Sequence, residues 1–529
     1  MKKILLLLFI LLINDLIYSA YVDTQVPSTS AGSTGLRTRI FTTDSTRYYA
    51  GAPVIIYLQG GNVNDNIDTS ARFTRFGFIV ITFNYPGGTG SGGTYDNRGP
   101  NCITALKDII KFATGITTDN IGRKLDQITA PKIPMYGNVG VMGSSNGGNI
   151  SIVTAGMYGS ELNLAWISNW ESPVGEEMPG AELGRRGNTN GNPTFNRAYN
   201  DTTGAIDYSK LRYSDTVSLY NESTVYHGGF YYDINGNNVP NRGTDFVING
   251  FWVVNNGVLK GMVSAKLLRE AVNRGIYPSS PPSHIPALTE ADDYWKYRTG
   301  DNWVDSVKAK LPNLLFMVTA SDSDHVQSQK DHPHVLNQYE KFRSAGQQFA
   351  RLNPDRIYVE YASGSAQPTA PDNNAFETYS HLSIRTKFEP ETISDINYQS
   401  AAICELADRY CSSNMNPNLS GMIYCNTIGI QPTGNEVPEE FSLEQNYPNP
   451  FNPDTKIGFR IAETGNVNLK IFDITGKLVS EPVREVLKAG VYEVNWSTDI
   501  NTSELSSGVY FYSLITSKFV STRKMIYLK

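Results

Sequence analysis

Residues 139–153, with the sequence VGVMGSSNGGNISIV, decide how the rest of the chain is interpreted. A short apolar run leads into Gly143-Ser144-Ser145-Asn146-Gly147, a Gly-x-Ser-x-Gly pentapeptide, and small residues with helical spacing follow. This pattern is typical of a nucleophile elbow, a tight turn between a strand and a helix that presents one serine above a parallel sheet. A side chain at either flanking glycine would press on the adjacent strand or helix. Ser145 is therefore the candidate nucleophile.

The pentapeptide alone is a weak signal. In a chain with 46 glycines, roughly 0.3 matches are expected by chance, which is a real risk for so short a motif. The alternative interpretation is a loop rich in glycine and serine. The surrounding sequence has to decide between the two.

Length and charge set the first limits. A chain of 529 residues predicts two or three domains, and a hydrophobic content of 40% is ample for a large core. The net charge of −6 provides no basic surface, which argues against nucleic acid as a partner.

The segment 1–20 at the N-terminus has the composition of a secretory signal peptide. Lys2 and Lys3 precede an apolar run over positions 4–13. The small residues of Tyr18-Ser19-Ala20 then resemble a signal peptidase cleavage site. This apolar run is too short to span a bilayer, so cleavage after Ala20 is expected rather than anchoring. No later segment is long enough to cross a membrane, and the sequence predicts an exported protein.

The chain has four cysteines: Cys102, Cys404, Cys411 and Cys425. In an exported protein disulfides can form. Cys411 and Cys425 flank a polar loop and are predicted to pair, whereas Cys102 and Cys404 are expected to be small buried residues. No CxxC pair or Cys/His spacing of a metal site is present.

Apolar runs alternate with helical patterns between positions 36 and 410. Such alternation predicts an α/β fold with a mostly parallel sheet and crossover helices. Apolar spacing predicts helices over 103–113 and 395–409. Besides the strand before Ser145, strands are predicted over 36–42 (at an edge), 53–58, 77–83, 162–167, 314–318 and 356–361.

From position 36 to 410, apart from one insertion, the sequence resembles the α/β-hydrolases, with a doubly wound sheet. In that family, glycines after the third strand supply half of an oxyanion hole. The resemblance implies that the backbone N–H groups of Gly61 (or Gly60) and Asn146 stabilise an oxyanion. Gln59 replaces the usual histidine, which matters little because the backbone is the donor. Residues 84–93 (NYPGGTGSGG) are similar to a loop of exported esterases and proline-type peptidases, although a flexible glycine loop fits equally well.

The family order of serine, acid and histidine implies the remaining members of a triad. The acid is expected just after the seventh strand, where Asp324 matches the family pattern better and Asp322 lies closer to the strand end. The base is expected after the eighth strand, and His381 is the only histidine beyond that point. His381 would remove the proton of the Ser145 hydroxyl, and the aspartate would orient and stabilise the imidazolium.

A group of residues near the acid could bind a metal ion instead of taking part in a triad. His325, Asp331, His332 and His334 are close in sequence and could bind a metal ion. The favoured alternative is structural, because Asp331 before Pro333 and an apolar-periodic run is a good helix N-cap. The prediction is therefore no metal and no cofactor.

Between the sixth and seventh predicted strands, residues 171–311 form an insertion that is expected to cap the site over Ser145. A helix is predicted over 262–273. Trp252, Tyr294 and Trp295 could line the substrate pocket, or pack the core of the cap, which is the favoured interpretation. Residues 233–239 (DINGNNV) space oxygen atoms like part of a calcium loop, and a hairpin turn built on Asn-Gly is the alternative.

The C-terminal part of the chain reads as a separate module. After a predicted linker over 428–440, period-two patterns predict strands over 456–461, 467–473, 490–496, 508–516 and 524–528, which make a small β-sandwich over 441–529. The motifs NYPNPFNP (446–453), IFDITG (471–476) and LSSGVY (505–510), with Lys524 near the end, resemble the type IX secretion sorting domain. The resemblance implies a partner in the type IX machinery, passage across an outer membrane, and release or surface attachment.

Together these features predict an exported serine hydrolase, with a catalytic domain over 21–427. An ester of a small molecule or a polymer, such as a polyester or a polysaccharide ester, is the expected substrate. A prolyl-oligopeptidase-like peptidase is the first alternative, although no propeller-sized N-terminal domain is present. The second is a non-catalytic binding protein on the same scaffold.

Overall fold

The structure is a computed structural model. It describes residues 21–43, 45, 47–48, 51–61, 63–67, 72–172, 176, 179–184, 196–255, 257–320, 332–363, 395–412, 430–432, 438–487, 489–497 and 505–529. The predicted signal peptide lies outside this set, as do Asp322, Asp324, His325 and His381.

The part of the chain before the C-terminal module contains fifteen strands and nine α-helices among its described residues. In chain order, the strands are β1 (Tyr21–Val26), β2 (Leu36–Phe41), β3 (Ala52–Leu58), β4 (Ile79–Phe83), β5 (Pro134–Ser144), β6 (Trp166–Trp170), β7 (Tyr199–Asn200), β8 (Ala205–Ile206), β9 (Leu211–Asn221), β10 (Thr224–Tyr232), β11 (Phe246–Val247), β12 (Phe251–Asn255), β13 (Val258–Met262), β14 (Leu315–Thr319) and β15 (Phe349–Leu352). The helices are α1 (Pro100–Ala113), α2 (Leu125–Thr129), α3 (Asn146–Tyr158), α4 (Ala265–Asn273), α5 (Leu288–Lys296), α6 (Val304–Lys310), α7 (Pro333–Ser344), α8 (Arg356–Ala362) and α9 (Asp395–Cys411).

Eight strands form one sheet in the order β1-β2-β4-β3-β5-β6-β14-β15. The β1–β2 and β2–β4 pairs are antiparallel, and the pairs from β4 to β15 are parallel. Parallel neighbours require crossover connections, which the helices supply. This order, with a strand–turn–helix elbow after β5, is the α/β-hydrolase fold, and it confirms the predicted fold class.

The centre of the sheet is buried on both faces. Every residue of β3 is buried, which explains why the sequence shows an unbroken apolar run there rather than an alternation. Successive side chains of β3 enter opposite cores: Val54 and Ile56 pack with residues of α1, α3 and α7, whereas Ile55 packs with residues of α8 and α9. Ser145 follows β5, which pairs with β3 and is buried over its last residues, so it lies at the end of a central strand.

One predicted strand is wrong. Residues 356–361 lie in helix α8, and the edge strand is β15, Phe349–Leu352. The side chain of Asp355 accepts a hydrogen bond from the N–H of Ile357 and caps the helix. The true strand is short and contains Arg351, which is buried against Glu405 of α9 and so does not look like a core position in the sequence.

The sixth strand lies later in the chain than predicted, over Trp166–Trp170 instead of 162–167. Its polar residues Ser168 and Asn169 are fully buried. Because they interrupt the apolar run, a search for continuous apolar residues does not detect this strand. The Asn169 amide bonds to Gln338 of α7, and its carbonyl oxygen accepts from Ser151 of α3. Polar contacts of this kind are set by the folded chain and not by the local sequence.

The helix predicted over 262–273 is confirmed with a later start. It begins at Ala265, because Ser264 caps it by accepting from the N–H of Leu267. Serine is a preferred residue at this position, since its oxygen satisfies an N–H group that has no partner within the helix. Met262, where the predicted helix begins, is instead the last residue of strand β13.

The insertion between β6 and β14 has an apolar core of its own, built from β9 to β13 and helices α4 and α5. Trp295 is buried in this core and donates its indole N–H to the Val263 carbonyl. Trp252 packs against its edge beside Tyr226. The packing interpretation of these aromatic residues fits, and Trp295 also borders a pocket described below.

The Asp/Asn-rich loop after β10 connects it to the antiparallel strand β11. The Asp233 carboxylate accepts hydrogen bonds from the N–H groups of Gly236 and Asn238. The Asp245 carboxylate does the same for another N–H group of this loop, that of Ile234. These oxygen atoms thus stabilise the turn itself, as Asx turns do.

The C-terminal module consists of two four-stranded antiparallel sheets around one apolar core, as predicted. Residues 430–432, inside the predicted linker, form a strand that pairs with the module, and a strand over Leu478–Leu487 was not predicted. The sheet orders are β16-β21-β18-β17 and β20-β19-β22-β23, with β16 (Ile430–Pro432), β17 (Ser442–Leu443), β18 (Asp454–Ile461), β19 (Gly465–Asp473), β20 (Leu478–Leu487), β21 (Gly490–Ser497), β22 (Gly508–Thr516) and β23 (Val520–Tyr527).

The three cysteines that the structure describes are in the states predicted from the sequence. Cys102 and Cys404 are free and buried, and Cys411 is disulfide-bonded. Its predicted partner, Cys425, lies outside the described residues. Within the described part of the chain, none of the helices combines the length and apolar character needed to cross a membrane.

Candidate active site

Ser145 occupies the turn between β5, which ends at Ser144, and α3, which begins at Asn146. Its backbone has φ 48° and ψ −123°, a conformation that side-chain-bearing residues rarely adopt. Such strain costs on the order of 1–3 kcal/mol and persists only where the surroundings enforce it. The residue is half-buried, so the turn lies near the surface at this edge of the sheet.

The glycines that flank Ser145 are required by close backbone contacts, as predicted. A Cβ atom at Gly143 would lie 2.5 Å from the nitrogen of Gly148. One at Gly147 would lie 2.7 Å from the Leu58 carbonyl oxygen of β3. Both distances are too short for real contacts, so the elbow can form only with glycine at these two positions.

Hydrogen bonds from the neighbouring strand hold the turn in place. The Ser145 N–H donates to the Trp170 carbonyl at 2.9 Å, at the end of β6. The Ser172 hydroxyl donates to the Ser145 carbonyl at 2.9 Å. Sequence reasoning missed Ser172, since nothing in its local pattern marks it as a support for the elbow that follows β5.

The glycine pair after β3 lies against the elbow. A Cβ at Gly60 would lie 2.9 Å from the Cβ of Ser145, and the Asn146 side-chain amide donates to the Gly61 carbonyl at 3.5 Å. Gly61 has φ 73°, in the left-handed region that favours glycine. The structure thus brings together the four residues that the sequence singled out here: Gly60, Gly61, Ser145 and Asn146.

Buried asparagines fix this glycine loop. The Asn66 side chain accepts from the Gln59 N–H at 2.6 Å and donates to the Tyr57 carbonyl. The Asn84 side chain in turn accepts from the N–H of Asn66 at 2.8 Å and donates to the Thr89 carbonyl. The loop over 84–93 is therefore tied by hydrogen bonds to the candidate oxyanion loop, a link that sequence spacing alone does not reveal.

The acid and the base are expected beyond the end of β14. Strand β14 ends at Thr319, beside β6, and the described chain continues to Ala320. Asp322, Asp324 and His381 lie outside the described residues. The end of β14 is nevertheless at the same edge of the sheet as Ser145, because both follow the carboxyl ends of parallel strands.

A buried carboxylate and a buried histidine stand next to the elbow, and neither was predicted as part of the site. Glu171 directly follows β6 with φ 46°, and its N–H donates to the Thr319 carbonyl. His334 of α7 places its Nε2 3.8 Å from the Glu171 carboxylate. Helix α7 begins after His332 rather than after Asp331, so the predicted N-cap is one residue early. Among the described residues, no group of three His, Cys, Asp or Glu side chains could hold a metal ion.

A narrow pocket opens beside Asn146, between the loop before α1 and the insertion. Its interior has about 20 Å³ of room, enough for about one water molecule. Arg298 closes one side by donating to the carbonyl of Asn97 at 2.6 Å and that of Tyr294 at 2.7 Å. The wall combines groups from three parts of the chain: Asn97, Arg98, Asn149, Ile150, Phe251, Tyr294, Trp295, Tyr297 and Arg298.

Residues 445–528 match the family model of the secretion system C-terminal sorting domain. The match coincides with the β-sandwich and confirms the interpretation drawn from its motifs. Such a domain directs export by the type IX secretion machinery. A comparison with curated proteins finds no match.

Several solved structures of esterases are similar to this chain. The bacterial heroin esterase has 18% identity over 30% of this chain and 46% of its own, with a TM-score of 0.23. A hyperthermophilic esterase from Pyrobaculum calidifontis has 13% identity over 63% of this chain and 74% of its own, with a TM-score of 0.29. For esterase LipW from Mycobacterium marinum, the identity is 12%, the shares are 73% and 82%, and the TM-score is 0.31. The chain spans less than half the length of the heroin esterase.

Proposed function

We propose that this chain, which joins an α/β-hydrolase fold to a secretion sorting domain, is an exported serine hydrolase that cleaves carboxylic esters. The observation that carries the proposal is the conformation of Ser145. A serine with a strained positive φ, at the end of the central strand and against a glycine backbone, costs stability that a purely structural residue would not require.

In the proposed mechanism, the Ser145 hydroxyl attacks the ester carbonyl and His381 accepts its proton. The alcohol leaves with that proton, and water then hydrolyses the acyl-enzyme by the same route. Asp324, or Asp322 in its place, orients the imidazole.

Two backbone N–H groups would stabilise the oxyanion that forms on the ester carbonyl, those of Gly61 (or Gly60) and Asn146. The contact between the glycine pair and the elbow supports this role, because it brings the backbone of Gly60 and Gly61 close to Ser145 and Asn146. Donors fixed in advance in this way need no reorganisation as the negative charge develops.

The protein would act outside the cell or at its surface. Residues 1–20 would be removed on export, and the sorting domain would be cleaved or used for attachment. A surface location suits substrates that cannot enter a cell, such as polyesters or polysaccharide esters, as well as small esters.

A panel of p-nitrophenyl esters and aminoacyl p-nitroanilides tests the reaction class. Turnover of the esters with little turnover of the anilides is expected. Turnover of the anilides alone would show that the prolyl-oligopeptidase-like alternative is right. Absence of labelling of Ser145 by a fluorophosphonate probe in the folded protein would contradict the proposal and favour a binding protein on a hydrolase scaffold.

The two candidate acids can be separated by conservative substitution. Asp324→Asn is expected to lower kcat by about 10⁴-fold, because the amide stabilises the wrong tautomer of the histidine. Asp322 is only two residues away, so Asp322→Asn is the matched control and should change kcat by less than about threefold. The opposite ranking would assign the role to Asp322, and equal mild losses in both variants would contradict both assignments.

A further inference from the structure

Arg98 is a buried guanidinium close to the candidate oxyanion loop. Only 4% of its surface is exposed, and it stacks on the ring of Tyr85 at 4.0 Å. Its Nη2 donates to the Gln59 carbonyl at 3.2 Å, directly before Gly60. Asn97 and Arg98 both have positive φ, 56° and 66°, so the chain accepts two strained residues in succession to hold this side chain here.

The charge of Arg98 has no counter-ion within the described part of the chain. None of the ion pairs there includes it, and its donors Nε and Nη1 are buried without a hydrogen-bond partner. The nearby Asp96 is engaged elsewhere, since it accepts from the N–H groups of Gly99 and Asn101 at the start of α1. Burial raises the pKa of the neighbouring Tyr95 to about 12, so that phenol stays neutral. A buried charge without a partner is strongly unfavourable, which points to a ligand that supplies the partner.

A second unsatisfied donor lines the same pocket. Within the described part of the chain, the side-chain nitrogen of Asn149 is buried without a partner, while its oxygen accepts from the Gly300 N–H. The assignment of nitrogen and oxygen in this amide is therefore consistent with its surroundings. Arg98 and Asn149 both border this pocket, and both carry buried donors without a partner among the described residues, which match a group that carries only acceptors.

We propose that Arg98 and Asn149 bind a carboxylate of the substrate, so that the enzyme prefers esters that carry a free carboxylate near the scissile bond. The inference rests on the proposed function, because it places this subsite beside Asn146 and hence beside the reacting ester. A guanidinium presents parallel N–H groups that match the two oxygens of a carboxylate.

Two pairs of substrates test the preference and locate the carboxylate. For the acyl side, p-nitrophenyl hemiglutarate is compared with its methyl ester, after subtraction of spontaneous hydrolysis. For the alcohol side, 4-acetoxybenzoate is compared with methyl 4-acetoxybenzoate. We expect kcat/KM to be about tenfold or more higher for the acid in one of the pairs. Equal kcat/KM values within both pairs would overturn the proposal.

Arg98→Gln should remove this preference, with a loss of about tenfold or more on the acid and less than about threefold on its methyl ester. Arg98→Lys should retain part of it. Arg274→Gln, which replaces an exposed arginine directly after α4, is the matched control and should change neither value. Equal losses of Arg98→Gln on acid and methyl ester would mean that Arg98 only supports the Gln59 loop, and the proposal would be wrong.

Binding to the wild-type protein provides a test that does not depend on the folding of a variant. Glutarate or 4-hydroxybenzoate should bind in calorimetry, whereas glutaramide and methyl 4-hydroxybenzoate should not. Absence of binding by both acids would overturn the proposal. If neither acid nor methyl ester is hydrolysed but glutarate binds, the proposed function fails and the carboxylate site stands.

Discussion

Replacement of Ser145 by alanine should lower kcat/KM for ester hydrolysis by about 10⁴-fold or more, which corresponds to at least about 5 kcal/mol of transition-state stabilisation. The size of the effect follows from the role of the hydroxyl, because the covalent acyl-enzyme cannot form without it. The measurement is kcat/KM on p-nitrophenyl esters, with thermal unfolding of the same protein samples. Alanine and serine both carry a Cβ, so a backbone with φ 48° is about equally strained with either residue. The melting temperature should therefore change little.

The adjacent Ser144 provides the matched control. It lies directly before Ser145 at the end of β5, and its buried hydroxyl has no hydrogen-bond partner among the residues that the structure describes. Ser144→Ala should therefore keep kcat/KM within about threefold of the wild type. Comparable losses in both variants would indicate a disturbed elbow rather than a missing nucleophile, and retained activity in Ser145→Ala would refute the mechanism.

The fold could be predicted where one physical signal dominates. Strands β3 and β4 are buried on both faces, so their sequences are nearly continuous apolar runs. The elbow needs its glycines because a Cβ at Gly143 or Gly147 would lie only 2.5 or 2.7 Å from backbone atoms. The sorting domain has motif residues with fixed structural roles. For example, the Asn446 side chain donates to the Pro448 carbonyl and to the hydroxyl of Thr455.

The errors occur where tertiary contacts override local preference. Residues Ile357, Tyr358 and Val359 have strong strand propensity, yet their segment is helical because it is capped by Asp355 and packs on α9. Strand β15 was missed because its one arginine, buried at the sheet edge, interrupts the apolar pattern. That arginine is tolerated inside because a glutamate of α9, distant in the sequence, lies beside it.

In the candidate site, too, features with a local sequence motif could be predicted, whereas features set by tertiary contacts could not. The elbow and the glycine pair are contiguous motifs, and the sequence places them correctly next to each other. Ser172, Glu171 and Arg98 have no motif of their own, and their positions depend on how separate strands and loops meet. Arg98 could have been flagged only by its burial and its unpaired donors, which are properties of the folded chain.

Replacement of His381 by alanine should lower kcat/KM on the same esters by about 10⁴-fold or more, because the serine hydroxyl then has no base. The pH dependence makes this loss specific. For the wild type, kcat/KM should fall at low pH as the free imidazole becomes protonated, since an unperturbed histidine has a pKa of about 6.5. The variant should lose that acidic limb, and its residual rate should rise with pH as hydroxide replaces the missing base.

His227→Ala is the matched control, because His227 is exposed on β10 in the insertion and lies in no candidate site. It should retain both the rate and the acidic limb. Since Ser145 is the only member of the proposed triad within the described residues, this profile is the sharpest test of whether His381 serves it. An acidic limb that survives in His381→Ala would mean that another group accepts the proton. Among the described residues, one candidate pair is His334 with Glu171, 3.8 Å apart. Loss of activity in His334→Ala with retention in His381→Ala would then replace the proposed triad by one assembled from β6 and α7.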